Sequence, residues 1–287
     1  MTWLPDPTAL HSFIQSALLE DVGDGDHTSL STIPASAQGK AQLLVKDHGI
    51  LAGVDLAELI FKAVDPTLVM ERIMSDGQSM KPGDVAFRVS GPDRSILTAE
   101  RLVLNCMQRM SGIATVTRQI MDSLEGTHCQ VLDTRKTTPN FRLLEKWAVK
   151  IGGGTNHRFG LYDMILIKDN HVDYAGGIKP ALQAAKEYVS RLSKPLDIEI
   201  EVRNLDELQE VLQEGGVVRI MLDNFSFPLI RKALTLIAGR YPVEASGGIT
   251  PENVRDYADC GVDYVSMGYL THSVKSLDLS LKAMPRD

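Results

Sequence analysis

Residues 197–224, DIEIEVRNLDELQEVLQEGGVVRIMLDN, decide the fold class. Two short apolar runs, DIEIEV and VRIMLDN, stand on either side of LDELQEVLQEG, in which apolar residues recur at helical spacing. Parallel neighbouring strands need a long crossover connection, which is usually a helix. The stretch therefore predicts a parallel strand–helix–strand unit.

The same alternation of strand and helix begins at about residue 131 and continues to about residue 268. Further candidate strands are VLDTR, DMILIK, VEASGG and DYVSMG, with helical patterns between most of them. A β/α barrel gathers the ends of its strands at one mouth, whereas a doubly wound sheet gathers them only near its switch point. The strand ends are mostly polar, charged or glycine, and this succession favours a barrel: Thr134, Arg135, Lys136, Lys168, Asp169, Asn170, Glu201, Asp223, Asn224, Ser246, Gly247, Gly248, Ser266, Met267 and Gly268.

The first third of the chain has an α+β pattern instead. An apparent helix at residues 9–20 precedes a turn-rich EDVGDGDHTS and then short alternating strands. A long helical pattern follows over about residues 95–124, and Arg101, Asn105 and Gln108 fall on one of its faces. This stripe is either a solvated face or a semi-buried functional one, and the surrounding Leu, Val and Met favour the functional interpretation.

The composition is that of a globular protein with an acidic balance. The 287 residues are 44% hydrophobic and 23% charged, with a formal net charge of -7, which argues against a general nucleic-acid binder. The three cysteines form no C-x-x-C pair, and the histidines show no H-E-x-x-H spacing, so no zinc site is expected. The N-terminus has no signal-peptide pattern and no stretch is apolar enough to span a membrane, so we expect a cytoplasmic protein.

The predicted barrel mouth carries many cations for an acidic protein. They are Arg135, Lys136, His157, Arg158 and Lys168, and they predict a substrate with several negative charges. The glycine-bearing ends of the last two strands predict a phosphate site, because glycine lets backbone N–H groups approach oxygen atoms. Glu201 and Asp223 either accept hydrogen bonds from sugar hydroxyls, help to hold Mg²⁺ on substrate phosphates, or pair with neighbouring Arg and Lys residues.

Residues 142–171 contain a predicted helix followed by a loop that carries two of these cationic residues. Leu143, Leu144, Trp147 and Ala148 indicate a short amphipathic helix, and a run of three glycines then leads to a loop with His157 and Arg158.

Several motifs together identify a family: EDVGDGDHTS, NCMQRMSGIAT, DTRKTTP, LEKWAVKIGGGTNHRFGLYDMILIKDNH, EIEV, MLDN, EASGGI and GVDYVSMG. At these motifs the chain resembles the quinolinate phosphoribosyltransferases, and the resemblance covers nearly the whole chain. It implies a type II phosphoribosyltransferase fold, in which an N-terminal α/β sandwich over residues 1–112 precedes an incomplete, seven-stranded β/α barrel over residues 113–272. The tail, about residues 273–287, would pack back on the sandwich. The family also implies a homodimer, or a higher oligomer, in which the sandwich of one subunit covers the barrel mouth of the other.

The resemblance also implies roles for the residues at the mouth. Quinolinate and phosphoribosyl pyrophosphate, with Mg²⁺, would give nicotinate mononucleotide, pyrophosphate and carbon dioxide for NAD synthesis. The two quinolinate carboxylates would be bound by Arg135, His157, Arg158 and Lys168, with Arg101 added by the partner subunit. Phosphoribosyl pyrophosphate and Mg²⁺ would contact Lys136, Glu201 and Asp223, and the 5′-phosphate would lie against Ser246, Gly247, Gly248, Ser266, Met267 and Gly268. Thr134 is also expected to bind substrate.

Two positions depart from the common family pattern. Asn140 stands where glycine is usual, and Trp147 replaces a frequent tyrosine. Asn tolerates a left-handed backbone, so we expect the turn to be kept. Trp147 is expected to be a change in packing.

Three other functions compete with this one. A lysine at a barrel strand end, here Lys168, is the usual nucleophile of Schiff-base aldolases. A phosphoribosyltransferase-like protein linked to molybdenum transport shares DTRKTTP and the His-Arg pair, but usually lacks the LIKDNH form. A barrel that only binds a nucleotide or phosphate is a third alternative, and the intact set of cations and carboxylates argues against it.

Overall fold

The computed structural model describes residues 5–285, and within them helices and strands alternate along the chain. The elements up to the long helix are α1 (Pro7–Val22), α2 (His27–Thr32), β1 (Gln38–Val45), β2 (Gly49–Ile50), α3 (Val54–Val64), β3 (Val69–Arg72), β4 (Ser79–Met80), β5 (Val85–Pro92) and α4 (Asp93–Ser123). They are followed by β6 (Gln130–Leu132), α5 (Arg142–Ile151), β7 (Ile165–Ile167), α6 (Asp169–Ala175), α7 (Ile178–Ser190), β8 (Ile198–Val202), α8 (Leu205–Glu214), β9 (Arg219–Asp223), α9 (Phe227–Ile237), β10 (Val243–Ser246), α10 (Val254–Asp259), β11 (Tyr264–Ser266), α11 (Tyr269–His272) and β12 (Leu279–Ala283). Among residues 5–285, none of the helices is both long and apolar enough to cross a membrane.

The chain divides into two compact units that interleave in sequence. The first contains the described residues up to Arg118, the segment Thr137–Gly153 and the described residues from Leu270 onward. The second contains Gln119–Lys136 and Gly154–Tyr269.

The first unit is built on an antiparallel sheet with the strand order β12-β1-β5-β3. Along β1 every second residue is buried towards its C-terminal end, so one face of the sheet is covered. Helix α3 buries its apolar stripe, and its Phe61 meets Phe87 of β5 edge to face with ring centroids 5.8 Å apart. The C-terminal strand β12 pairs with β1, with Leu281 opposite Leu43.

A buried ion pair joins α4 to α5 within this unit. The Glu145 carboxylate is fully buried, and Arg109 Nη2 donates to its Oε1 at 2.9 Å. Thr138 completes the network, because its N–H donates to Glu145 Oε2 and its hydroxyl to Oε1, each at 3.0 Å. A buried carboxylate is tolerated only when it is compensated in this way.

The polar stripe of α4 divides into two kinds of residue. Gln108 donates its side-chain N–H to the carbonyl of Leu279 at 2.9 Å, which is a structural role within the first unit. Arg101 and Asn105 are exposed.

The second unit is a parallel sheet of six strands with the order β6-β11-β10-β9-β8-β7. All five residues of β8 are buried, as expected for a barrel strand covered on both faces. The α/β fold class, with a barrel-like unit and a separate N-terminal sandwich, is confirmed. The expected seventh strand is reduced to one bridge, in which Thr155 pairs in parallel with Leu132 of β6. The Thr155 hydroxyl also donates to Gln130 Oε1 at 3.0 Å.

Both departures from the family pattern have a structural explanation. Asn140 has a φ of 62°, in the left-handed region that asparagine enters more readily than most residues. Trp147 is buried on α5, with 3% of its surface exposed.

Candidate active site

A pocket of about 300 Å³ lies at the C-terminal ends of the strands in the second unit. This is the mouth at which barrel enzymes carry their active sites. Its lining combines eight residues that the sequence singled out with three that it did not: Thr134, Arg135, Lys136, His157, Arg158, Lys168, Ser246 and Ser266, and then Leu166, Met221 and Glu244. Of the other predicted site residues, Glu201, Asp223, Gly247, Gly248, Met267 and Gly268 belong to strand ends of this unit outside that lining, and Arg101 belongs to the first unit.

Two guanidinium groups are concentrated in this pocket. Arg158 is partly buried, and its Nη1 donates to the carbonyl of Met164 at 3.1 Å. Burial and then the positive charge of Arg135 lower the pKa of Arg158. Bringing like charges together costs free energy, and an anionic ligand that bridges them recovers it.

Two carboxylates shape the loop that carries His157 and Arg158. Asp133 is fully buried directly after β6 and accepts the backbone N–H of His157 at 2.9 Å. Asp163 accepts the backbone N–H groups of Phe159 and Gly160 at 2.6 and 2.9 Å. Asp133 was not singled out from the sequence, although a buried acid at a strand end beside Arg135 is a usable signal.

Lys168 and Glu201 form an ion pair at the ends of β7 and β8. Lys168 Nζ lies 2.5 Å from Glu201 Oε2, and only 5% of Glu201 is exposed. Of the three interpretations left open for Glu201, the structure shows pairing with a neighbouring lysine. The pair also disfavours a Schiff-base role for Lys168, because that chemistry needs a free, neutral amine.

The ends of β9 and β10 form a glycine turn. Gly247 and Gly248 have φ angles of 95° and 63°, and a Cβ on Gly247 would lie 2.2 Å from Asn224 Oδ1. A Cβ on Gly248 would meet nothing within 4 Å, so the backbone there has open space above it. Asn224 donates to Asp223 Oδ2 at 2.7 Å and orients that half-exposed carboxylate.

Two groups at the end of β11 make hydrogen bonds within the protein. The Met267 side chain is buried, and its backbone N–H is donated to the carbonyl of Leu132 at 2.9 Å. The Ser266 hydroxyl forms a hydrogen bond with the Glu244 carboxyl group. The Met267 backbone N–H is therefore used within the sheet, and the phosphate contact expected at Ser266, Met267 and Gly268 stays a prediction.

A buried acidic cluster under the pocket was missed from the sequence. Glu199 of β8 and Glu244 of β10 are fully buried, and Arg219 Nη1 lies 2.8 Å from Glu244 Oε2 and 3.9 Å from Glu199 Oε2. Arg219 also lies over the ring of Tyr264, 4.3 Å from its centroid. His157 Nε2 lies 3.1 Å from Glu199 Oε2 and 3.6 Å from Glu244 Oε2.

The cluster shifts the ionisation of both acids. Burial, together with the negative charge of Glu199, raises the pKa of Glu244 to about 7. Burial also raises the pKa of Glu199. Two carboxylates this close in a low-dielectric interior are most stable when one of them keeps its proton.

Comparison with known proteins assigns this chain to a family. Residues 113–282 match the family described as quinolinate phosphoribosyl transferase, C-terminal domain, and residues 26–111 match the corresponding N-terminal domain. The chain belongs to the quinolinate phosphoribosyltransferase family. It is 46% identical to quinolinate phosphoribosyltransferase [decarboxylating] 1b of Nicotiana tabacum, over 95% of this chain and 82% of that one. It is 41% identical to the probable nicotinate-nucleotide pyrophosphorylase [carboxylating] of Bacillus subtilis, over 95% of this chain and 92% of that one.

Solved structures of the family have the same fold. NadC from Streptococcus pyogenes is 39% identical, with a TM-score of 0.91 over 99% of this chain and 100% of that one. The nicotinate-nucleotide pyrophosphorylase from Francisella tularensis is 36% identical, with a TM-score of 0.88 over 99% of this chain and 98% of that one.

Proposed function

We propose that this chain transfers the phosphoribosyl group of phosphoribosyl pyrophosphate to quinolinate and releases pyrophosphate and carbon dioxide. The product is nicotinate mononucleotide, and the reaction supplies NAD synthesis. The observation that carries this proposal is the concentration of Arg135, Arg158 and Lys168 in one pocket beside a glycine turn. Membership of the family adds independent support.

The cations of the pocket suit a ligand with two adjacent carboxylates. A guanidinium group presents paired donors that match one carboxylate, whereas an ammonium group acts as a point charge. We assign the carboxylates of quinolinate to Arg135, Arg158 and Lys168. A ligand with a single carboxylate would leave part of this charge uncompensated, so nicotinate should bind weakly.

We assign phosphoribosyl pyrophosphate to the part of the mouth beside the glycine turn. Within the glycine turn the backbone at Gly248 is open to phosphate oxygens, and Ser246 and Thr134 add hydroxyl groups. Lys136 lies at the exposed end of β6, where its charge can reach the diphosphate.

Of the two carboxylates at the mouth, Asp223 suits Mg²⁺ better than Glu201 does. Asp223 is half-exposed and held by a single amide, so it can reach an ion carried by the diphosphate. Glu201 is buried against Lys168, and we assign it to the ribose hydroxyls and not to the ion. Bound Mg²⁺ supplies positive charge to the departing diphosphate.

The reaction then follows from placement of charge. Loss of diphosphate leaves positive charge on the anomeric carbon, and Lys136 stabilises the negative charge on the leaving group. The Arg135 and Arg158 side chains hold the pyridine nitrogen in line for attack, which lowers the entropic part of the barrier. Bond formation makes the ring nitrogen cationic, so the electrons left at C2 when carbon dioxide departs are stabilised beside it. A proton then adds to C2.

We extend the proposal to assembly and location. Arg101 is exposed on α4, and we assign it to the active site of a second subunit in a homodimer. The three cysteines are buried free thiols, which suits a reducing cytoplasm. Two of the related plant proteins are named as chloroplastic and mitochondrial.

The experiment is a pyrophosphate-release assay with quinolinate, phosphoribosyl pyrophosphate and Mg²⁺, with nicotinate as the control acceptor. Release of pyrophosphate with quinolinate as the acceptor, and not with nicotinate, supports the proposal. An Arg158→Gln variant should raise the KM for quinolinate and leave the KM for phosphoribosyl pyrophosphate within a few-fold. Tight binding of phosphoribosyl pyrophosphate by the folded wild type without turnover would contradict the enzymatic assignment.

A further inference from the structure

Two apolar side chains, Leu166 and Met221, line the active-site pocket among its charged groups. The protein buries most of each side chain, since 8% of Leu166 and 3% of Met221 are exposed. The charged and hydroxyl groups of the pocket account for binding of the anionic substrates, and neither apolar side chain takes part in it. Apolar atoms suit the carbon atoms of a pyridine ring, because contact with them removes apolar surface from water.

The strands place both apolar side chains beside the ion pair of Lys168 and Glu201. Leu166 stands two residues before Lys168 in extended backbone, so the two side chains point to the same face. Met221 of β9 is in register with Glu201 of β8. Each partner of the ion pair, which is joined at 2.5 Å, therefore has one of the two apolar side chains as its neighbour.

The assignment of the ribose decides which quinolinate carboxylate faces this part of the pocket. Glu201 is assigned to the ribose hydroxyls, and attack on the anomeric carbon brings the ring nitrogen next to the ribose. C2 is bonded to that nitrogen, so the 2-carboxylate lies on the side of Glu201 and Lys168. The 3-carboxylate then lies on the side of the guanidinium groups of Arg135 and Arg158, which share the pocket.

The two sides of the pocket differ in how well they stabilise a carboxylate. Two guanidinium groups offer paired donors and a full positive charge to the 3-carboxylate. The positive charge of Lys168 is largely offset by Glu201, and the surface beside this pair is apolar. The 2-carboxylate is therefore held by less charge and is in contact with less water than the 3-carboxylate.

This difference favours the loss of the 2-carboxylate as carbon dioxide. After ribosyl transfer the bond between C2 and the carboxyl carbon breaks, and its electron pair stays on C2 beside the positive ring nitrogen. C2 then takes a proton from water that enters as carbon dioxide leaves. The negative charge is concentrated on the carboxylate before the step and is neutralised by the ring nitrogen during it. Apolar surroundings therefore raise the free energy of the carboxylate more than that of the transition state.

Resting on the proposed function, we propose that Leu166 and Met221 form an apolar wall against the C2 side of the pyridine ring that accelerates decarboxylation. The apolar wall keeps water from the 2-carboxylate while the guanidinium groups retain the 3-carboxylate. Its two side chains act on the second chemical step and not on the release of pyrophosphate.

The test is a single-turnover reaction with phosphoribosyl pyrophosphate, Mg²⁺ and quinolinate labelled with ¹³C in its 2-carboxylate. Pyrophosphate and labelled carbon dioxide are followed in time for the wild type, Leu166→Gln and Met221→Gln. In the glutamine variants, carbon dioxide should form on the order of tenfold more slowly than in the wild type, while pyrophosphate is still released. Quinolinate mononucleotide, which keeps both carboxylates, should accumulate in between and is detected by its mass.

Conservative variants provide the matched control. Leu166→Met and Met221→Leu change the shape of the apolar wall and keep it apolar, so the delay between pyrophosphate and carbon dioxide should be that of the wild type. An equal delay in the conservative and the glutamine variants would overturn the proposal, because shape and not polarity would then matter. Carbon dioxide that keeps pace with pyrophosphate in both glutamine variants would also overturn it.

A measurement on the wild type does not depend on the folding of any variant. Nicotinate carries only the 3-carboxylate and picolinate only the 2-carboxylate, and each is measured as an inhibitor competitive with quinolinate. Both should bind more weakly than quinolinate, but nicotinate about tenfold more tightly than picolinate, because it keeps the charge-assisted hydrogen bonds to guanidinium groups. Picolinate that binds as tightly as nicotinate would overturn the proposal.

The outcomes separate this inference from the proposed function. Failure of the wild type to release pyrophosphate with quinolinate would overturn the proposed function and the inference with it. Release of pyrophosphate and carbon dioxide in step by both glutamine variants would overturn the inference alone.

Discussion

Replacing Glu244 by Gln should remove a pH-dependent penalty from the folded state. Burial and the charge of Glu199 raise the pKa of Glu244 to about 7, from an ordinary value of 4.5. A carboxyl group whose pKa is raised on folding stabilises the fold fully below its unfolded pKa, and this contribution is lost as the pH rises through its folded pKa. The wild type should therefore lose on the order of 3 kcal/mol of stability from this group between about pH 5 and pH 8.

The assay is urea unfolding of the wild type and Glu244→Gln at several pH values in this window. The glutamine has nearly the same shape and no charge at any pH, and titrating groups outside the acidic cluster cancel when the two proteins are compared at each pH. We expect the free energy of unfolding of the variant, relative to that of the wild type, to increase as the pH rises. The m-values of the two proteins should be similar. A difference between the two proteins that stays constant from pH 5 to pH 8 would refute the reasoning about the buried proton.

Three further predictions concern single side chains. Gly247→Ala places a Cβ 2.2 Å from Asn224 Oδ1 at a residue whose φ is 95°. The Kd for phosphoribosyl pyrophosphate, measured by calorimetry, should therefore rise at least tenfold. An unchanged Kd would contradict the phosphate assignment. Arg109→Met leaves the buried Glu145 carboxylate uncompensated and should cost about 3–5 kcal/mol in urea unfolding, which adding Glu145→Gln should partly restore. Lys168→Ala should lower kcat/KM for quinolinate, and normal turnover would exclude Lys168 from the site.

The barrel and its mouth were predictable because the strands repeat. Each short apolar run ends in polar residues, and parallel strands bring those ends to one edge, so Arg135 and Lys168 line one pocket. The loop before β7 adds Arg158 to it. The length of each strand was less predictable. The bridge at Thr155 depends on two backbone hydrogen bonds, one with Val131 of β6 and one with Asp133 directly after it, and a single pair leaves no periodic pattern in the sequence.

The acidic cluster was missed for a physical reason. Glu199 and Glu244 each interrupt an apolar strand, and period-two alternation places each on one face of its strand. Neither acid identifies its partner, because contact with Arg219 and His157 depends on the order of strands in the sheet. A charged residue within a strand that is otherwise buried was the available signal.

The stripe on α4 shows the limit of residue type as a guide. Arg101 and Gln108 lie on one helical face, and the sequence treated them alike. Gln108 serves the first unit by donating to a carbonyl of β12, while Arg101 is exposed. Spacing identified the shared face, but tertiary contacts separate a structural amide from a candidate binding residue.

The most direct test of the central claim is a product measurement with quinolinate labelled with ¹³C in its 2-carboxylate. With phosphoribosyl pyrophosphate and Mg²⁺ present, the proposed function predicts labelled carbon dioxide and nicotinate mononucleotide in equal amounts, and no nucleotide when nicotinate replaces quinolinate. Absence of labelled carbon dioxide with the folded protein, or formation of nucleotide from nicotinate at a comparable rate, would contradict it.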